Sequence, residues 1–221
     1  DPTRYAHTKE LIIDSGKMLE HGKLIQIRPH TRFVHFPRHR HNYVEVIYMC
    51  QGQTTHLIDQ TQVLLKTGEL LFLNQNAIQE IYPASESDIA VNFIILPEFF
   101  DTAFHMIGEE KNYLRDFLIS CLRQDNRYGN YLHFQVADVL PIQNLMENMV
   151  WTLLNNQPNK RSVNQVTMGL VFLHLIHHTD RIHSDDQSYN QQLIFQVLRY
   201  IDENYQDGEL TKLAMLMGYD V

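Results

Sequence analysis

Between Leu24 and Leu96 the chain runs through one short β-type segment after another, and each is cut off before a helix could form. The segments are Leu24–Arg28, Phe33–Phe36, Tyr43–Cys50, Thr54–Ile58, Gln62–Leu65, Leu70–Leu73, Gln79–Tyr82 and Ile89–Leu96. Between them stand Arg28-Pro29, Phe36-Pro37, Gln51-Gly52, Asp59-Gln60, Thr67-Gly68 and Pro83-Ala84-Ser85, residues that favour turns over ladders. Short strands at regular spacing with no helix among them predict an antiparallel sandwich or barrel.

The most informative stretch within this array is His39-Arg40-His41-Asn42-Tyr43-Val44-Glu45, continuing to Gly52. Its run of β-branched and aromatic residues reads as a strand. Successive side chains of a strand point to opposite faces, so His39, His41, Tyr43, Glu45, Ile47 and Met49 are expected on one face. Two imidazoles and a carboxylate would then converge. The other face carries Val44, Val46, Tyr48 and Cys50 and is also apolar, so both faces should be covered.

After Pro97 the periodicity changes. Residues 97–107 and 111–124 read as helices, and Tyr131–Val136 as one more strand. Ile142, Leu145, Met146, Met149, Val150, Leu153 and Leu154 recur at three and four within a helix from Asp138 to Asn155. A further helix, Val163–His178, is apolar nearly all round and must be buried against the barrel or another subunit. The expected organisation is an arm at 1–22, a barrel at 23–96, a helical segment at 97–178, a polar linker at 179–190 and a new helical unit at 191–221.

The chain has 221 residues, 44% of them hydrophobic, enough for a substantial core. No apolar run approaches the roughly 18 residues of a membrane span, so no membrane partner is expected. Cys50 and Cys121 are its only cysteines; they offer neither a disulfide framework nor a cysteine zinc site, and fit a reducing cytoplasm. A net charge of −8 argues against a general nucleic-acid surface. No Ser-His-Asp, P-loop or dinucleotide-binding pattern stands out.

The spacing of His39, His41, Glu45 and Gly52 resembles the first signature of the cupin superfamily, small double-stranded β-helix barrels that often bind a divalent metal. Phe33 stands where that signature usually has Gly. A second signature aligns from Gly68, with Asn74 and Asn76 in place of Pro and Gly, and Gln79 where a fourth ligand, His, is usual. Gln is a poor transition-metal ligand beside imidazole. The resemblance implies an α+β chain, a cupin-like double-stranded β-helix barrel followed by a helical segment.

Near the C-terminus, Arg199-Tyr200-Ile201-Asp202-Glu203-Asn204-Tyr205 and Leu210 to Tyr219 resemble the opening of the DNA-binding domain of AraC-type transcription regulators. That family commonly places a cupin-like barrel and helices ahead of a helix-turn-helix. The ordered pair of resemblances implies the effector-sensing and dimerisation part of such a regulator, not an enzyme. The implied mechanism is allosteric control of the DNA-binding domain by a small polar metabolite, a sugar among the possibilities, with His39, His41, Tyr43, Glu45 and Gln79 as ligand-binding residues. No cofactor is expected, although His39, His41 and Glu45 are the candidate ligands should a divalent metal bind. A homodimer is expected, its seam placed at Ile142, Leu145, Met146, Met149 and Leu153 or that same stripe docked on the barrel. DNA contact is expected only through a recognition helix beyond Gly218-Tyr219, which this chain does not include. The alternative is a metal-dependent cupin enzyme, a dioxygenase or isomerase, using His39, His41 and Glu45.

Overall fold

Alternation within the short segments sorts their side chains onto two faces, and the chain uses those faces to build two sheets. The computed structural model describes residues 11–108, 113–123, 129–155 and 157–183, together with Val197 and Tyr200. Residues 1–10 of the expected arm, and most of the linker and helix-turn-helix start, lie outside the described residues. The chain divides into two units, Asp1–His183 and Ser184–Val221, and the first holds both sheets.

Its strands are β1 (Ile12–Ile13), β2 (Ile25–Pro29), β3 (Phe36–His41), β4 (Val44–Gln51), β5 (Gln53–Ile58), β6 (Thr61–Lys66), β7 (Leu70–Leu73), β8 (Gln79–Ile81), β9 (Ile89–Ile95), β10 (Tyr131–Phe134) and β11 (Ile182–His183). A five-stranded sheet has the order β1-β3-β8-β5-β6, and a six-stranded sheet the order β11-β10-β7-β4-β9-β2. Among the described residues every pairing is antiparallel except β1 with β3. The inner faces meet in one buried cluster: Ile47, Met49, Leu71, Leu73, Ala90 and Tyr131 from one sheet, Ile58, Val63 and Leu65 from the other. The fold is α+β, a cupin-like barrel followed by helices.

The outer face of the six-stranded sheet is covered by helices. These are α2 (Asp101–Ile107), α3 (Tyr113–Arg123), α4 (Leu140–Leu154) and α5 (Lys160–Ile176), preceded by a short helix α1 (Ser15–Met18) near the N-terminus. Phe72 on β7 lies 5.6 Å from Phe134 and 6.0 Å from Phe172 of α5, ring centre to ring centre. Phe172 in turn stacks on Phe100 at 5.6 Å. Tyr48 donates its hydroxyl to Gln143 Oε1 of α4 at 2.9 Å, and Gln143 Nε2 donates to the carbonyls of Gly68 and Val136. Residues Val44 to Met49 of β4 are therefore buried on both faces, as the continuous apolar run requires.

Several expectations need correction. The stretch from His39 to Gly52 is two strands, because the chain turns at Asn42-Tyr43 from β3 in one sheet to β4 in the other. Of Phe33–Phe36 only Phe36, where β3 begins, is strand, since Phe33 has φ +66°, a left-handed conformation that cannot continue a ladder. The conformation fits the place: Phe33 stands where the cupin signature has glycine. Residues 97–107 split into a 3-10 turn, Pro97–Phe100, and α2. Residues 179–183, read as linker, form a 3-10 turn and β11, which pairs with β10; the barrel thus draws strands from outside 23–96. Of the stripe expected either at a dimer seam or docked on the barrel, Ile142, Met146 and Met149 are fully buried within the single chain, which fits the second placement. Cys50, expected to be buried, is exposed.

Both motif glycines are demanded by geometry. Gly52 has φ +77°, and a Cβ there would lie 2.2 Å from Asp88 Oδ1, the atom that accepts from the Gln53 amide. Gly68 has φ +80°, and its Cβ would lie 2.8 Å from Ala137 Cα.

Candidate functional site

The corner at Asn42-Tyr43 decides where the candidate residues go. His39 and His41 end β3, and Glu45 begins β4 on the facing sheet, so they converge across a bend and not along one strand. Ser15 donates its backbone N–H to Asn42 Oδ1, and Asn42 donates its own to the Ile13 carbonyl, pinning the bend to the N-terminal segment. The result is that His41 Nε2 and Glu45 Oε2 stand 3.8 Å apart in the barrel interior, both residues buried. His39 and His41 have ring centres 4.9 Å apart. Gln79 on β8 is paired directly with His39 and is fully buried. Tyr43 touches the His41 ring at 4.6 Å, but it packs mainly with Ile13 and Ile94 at the barrel's N-terminal cover.

Four more residues complete the cluster, and sequence reasoning missed them. His30 follows β2, its Nδ1 2.8 Å from Asn92 Oδ1, and Asn92 Nδ2 donates to Glu45 Oε1 at 2.8 Å. His56 on β5 accepts from Gln79 Nε2 at Nδ1, 2.9 Å, and lies 2.9 Å from Thr54 Oγ1 through Nε2. Their rings, His30 and His56, are 5.2 Å apart. A signal existed for three: His56 and Thr54 share the inward parity of Ile58, and Asn92 is the lone polar residue in the apolar run of β9. At the other side of His56, His133 Nε2 lies 2.8 Å from Glu69 Oε2, with both residues buried.

The electrostatics follow from burial. Desolvation lowers His30 and His39 to about 4, and the Asn92 and Pro37 hydrogen bonds only partly oppose it. His41 and His56 are pushed well below the usual imidazole range for the same reason, with neighbouring histidines adding to it. His133 is lowered by burial despite the Glu69 carboxylate beside it. Burial raises Glu45 to about 7, against the Asn92 hydrogen bond that favours its anion. Burial also raises the Tyr43 phenol well above its ordinary value, and partial desolvation together with the Glu147 charge raises the Cys50 thiol. The interior at neutral pH is thus lined with neutral imidazoles around a partly ionised carboxyl group.

Four buried polar atoms in this interior have no hydrogen-bond partner: His30 Nε2, His41 Nδ1, Glu45 Oε2 and Gln79 Oε1. Such atoms are rare in a folded protein and costly to leave unpaired. Among the described residues no group of three or more His, Cys, Asp or Glu side chains is placed to hold a metal ion. His39 donates Nδ1–H to the Pro37 carbonyl at 2.8 Å, which leaves its Nε2 open, and the fourth place holds an amide, Gln79.

The geometry agrees with what comparison with known proteins finds. A family model described as the AraC-like ligand binding domain matches residues 21–150. Among solved structures, an apo ToxT variant from Vibrio cholerae aligns at a TM-score of 0.53 with 10% identity, covering 91% of this chain and 73% of that one. Wild-type ToxT from the same organism with unsaturated fatty acid bound aligns at 0.45 with 10% identity, covering 89% and 69%. A cupin protein from Bacteroides fragilis aligns at 0.31 with 19% identity, covering 40% and 77%. No curated protein matches the sequence. The first alignment carries the fold alone. Among the described residues no helix is long and apolar enough to cross a membrane.

Proposed function

Because the chain belongs to the family of AraC-like ligand binding domains, with most of the barrel inside the matched residues, we propose that it is a sensor whose interior receives a small polar effector. The observation that carries this reading is the set of four buried side-chain atoms without a hydrogen-bond partner, on His30, His41, Glu45 and Gln79. A ligand with hydroxyl or amino groups would satisfy them, as ordered polar groups satisfy a binding site elsewhere. Sugars and other polyols belong to that class. ToxT holds a fatty acid in its bound form, but the polar lining here favours a different ligand.

The sensing event acts on a DNA-binding unit of which residues 191–221 resemble the opening. The effector does so by binding one arrangement of barrel, helices and DNA-binding heads better than another, which is the thermodynamic requirement for control. A homodimer suits a regulator that reads repeated half-sites. With Ile142, Met146 and Met149 buried in the chain itself, the seam falls instead to exposed apolar residues of α4, Leu140, Trp151 and Leu154, beside Val163, Val166 and Leu170 of α5.

A thermal-shift screen of hexoses, polyols and amino alcohols tests the sensor reading. One class should raise the Tm, and Gln79→Leu should abolish that rise. A screen without any shift, together with a crystal structure in which ordered water fills the interior, would refute it. Light scattering tests the seam: a mass near 26.1 kDa excludes a stable dimer, whereas a dimer should be split by Leu154→Asp.

A further inference from the structure

The hydrogen-bond network assigns a direction to each polar group in the interior, and the directions agree. Asn92 donates from Nδ2 to Glu45, so its Oδ1 must accept, and the His30 nitrogen facing it, Nδ1, must carry the proton. In a neutral His30 the unpartnered Nε2 is then a bare lone pair. Thr54 donates its hydroxyl to Met49 Sδ at 3.7 Å, so Thr54 Oγ1 accepts from His56 Nε2–H. His56 Nδ1 is therefore the acceptor of Gln79 Nε2, which leaves Gln79 Oε1 as a carbonyl without a donor. For His41 the Glu45 carboxylate at 3.8 Å favours the proton on Nε2, and Nδ1 is left bare. Glu45 Oε2, when ionised, accepts only. The Pro37 carbonyl likewise fixes the His39 proton on Nδ1.

With Glu45 ionised, all four unpartnered buried atoms of the interior are thus acceptors, and among the described residues no Lys or Arg is buried to supply a cation. Arg28, on β2 beside Asn92 in register, spends its guanidinium on the Met18 carbonyl at 2.9 Å. A carboxylate or phosphate entering here would meet lone pairs and a carboxyl group while losing its hydration.

We propose that the interior is an acceptor-only receptor that selects a neutral or cationic, donor-rich ligand and rejects anionic ones. The inference rests on the sensor reading above and narrows its ligand class. Hydroxyl and ammonium groups share the required chemistry, since both present N–H or O–H without negative charge.

Two measurements on the full chain test it. Long-range ¹H–¹⁵N NMR at neutral pH should find His30 and His39 protonated on Nδ1 and His56 on Nε2; His30 protonated on Nε2 would overturn the proposal. The same spectra are then followed during titration with ethylene glycol, ethanolamine and glycolate, a set matched in size but neutral, cationic and anionic. Ethylene glycol or ethanolamine should shift the His30 and His41 ring nitrogens saturably, and whichever binds tighter identifies hydroxyl or ammonium as the preferred group. Glycolate should bind at least about tenfold more weakly, a difference of roughly 1.4 kcal/mol. Glycolate binding as tightly as the other two would sink the proposal and leave the sensor reading standing. Binding of none of the three, with the tautomers as assigned, would overturn both.

Discussion

Acid should destabilise this barrel in a way that its interior sets. His30 and His39 titrate near 4 when folded and near 6.5 when unfolded, so between those values the unfolded chain binds more protons. Their contribution is fully present above about pH 6.5 and is lost as pH falls toward 4. Glu45 has the opposite sign: its folded value, about 7, lies above the 4.5 of a free carboxyl, so the folded state binds the extra proton. The stability it lends is present at low pH and is lost as pH rises through 7. Going from about pH 7.5 to about pH 5, each of the two histidines removes roughly 2 kcal/mol and Glu45 restores roughly 2 kcal/mol. The three together leave a net loss of about 2 kcal/mol, against total stabilities of about 5–15 kcal/mol for a domain. His41 and His56, also depressed by burial, push the same way as His30 and His39.

Urea unfolding at a series of pH values measures this directly. Glu45→Gln isolates the sign: it removes the buried charge, so it should raise stability at about pH 8 by up to ~3 kcal/mol. It should also deepen the loss on acidification by roughly 2 kcal/mol, because the compensating protonation is gone. A parent protein equally stable at the two pH values, or an E45Q variant less stable than the parent at alkaline pH, would refute the reasoning.

Phe33→Gly should stabilise by up to about 1 kcal/mol, since φ +66° strains an aromatic residue that is 62% exposed and has little burial to lose; a fall in denaturation midpoint would show that the strain is repaid by contacts. Gly52→Ala should cost about 2 kcal/mol or more, because a Cβ 2.2 Å from Asp88 Oδ1 forces open the Ser85–Asp88 turn; an unchanged urea midpoint would contradict it. Gln143→Leu should cost about 2–3 kcal/mol by leaving the Tyr48 hydroxyl and the Gly68 and Val136 carbonyls without their partner, a loss that urea unfolding would measure. Met146→Glu should unfold the chain instead of merely dissociating a dimer, as circular dichroism would report, because Met146 is buried in its own chain.

The sheets were legible in sequence because their signals are local. Turn residues at Gly52, Asp59-Gln60 and Gly68 bound segments whose alternation is unmistakable, and strands β4 to β9 fall within a residue or two of where the pattern puts them. Phe33-Val34 misled for an equally local reason, since composition reports side chains and not φ. β10 and β11 escaped the expected barrel because sheet closure is a long-range event: Tyr131 meets Leu73, and His183 meets His133, across stretches that carry no pairing signal.

The candidate site shows the same division with a further step. Parity put His39, His41 and Glu45 on one side of a single strand, and they do face one another, but the strand is broken at Asn42-Tyr43. Odd numbering survived the break because the corner turns the inward face of β3 onto the inward face of β4, so the interior receives both. That coincidence could not disclose His30, His56 or Asn92, which belong to β2, β5 and β9 or their ends and reach the cluster only through cross-strand register. The chemistry of the interior lies in those later arrivals. Asn92 sets which nitrogen of His30 is bare, and the Thr54 and Met49 contacts set which end of Gln79 is unpaired. A motif can therefore bring the carboxyl group and two imidazoles to the right place, while the polarity of the site, acceptor or donor, is written by residues with no motif.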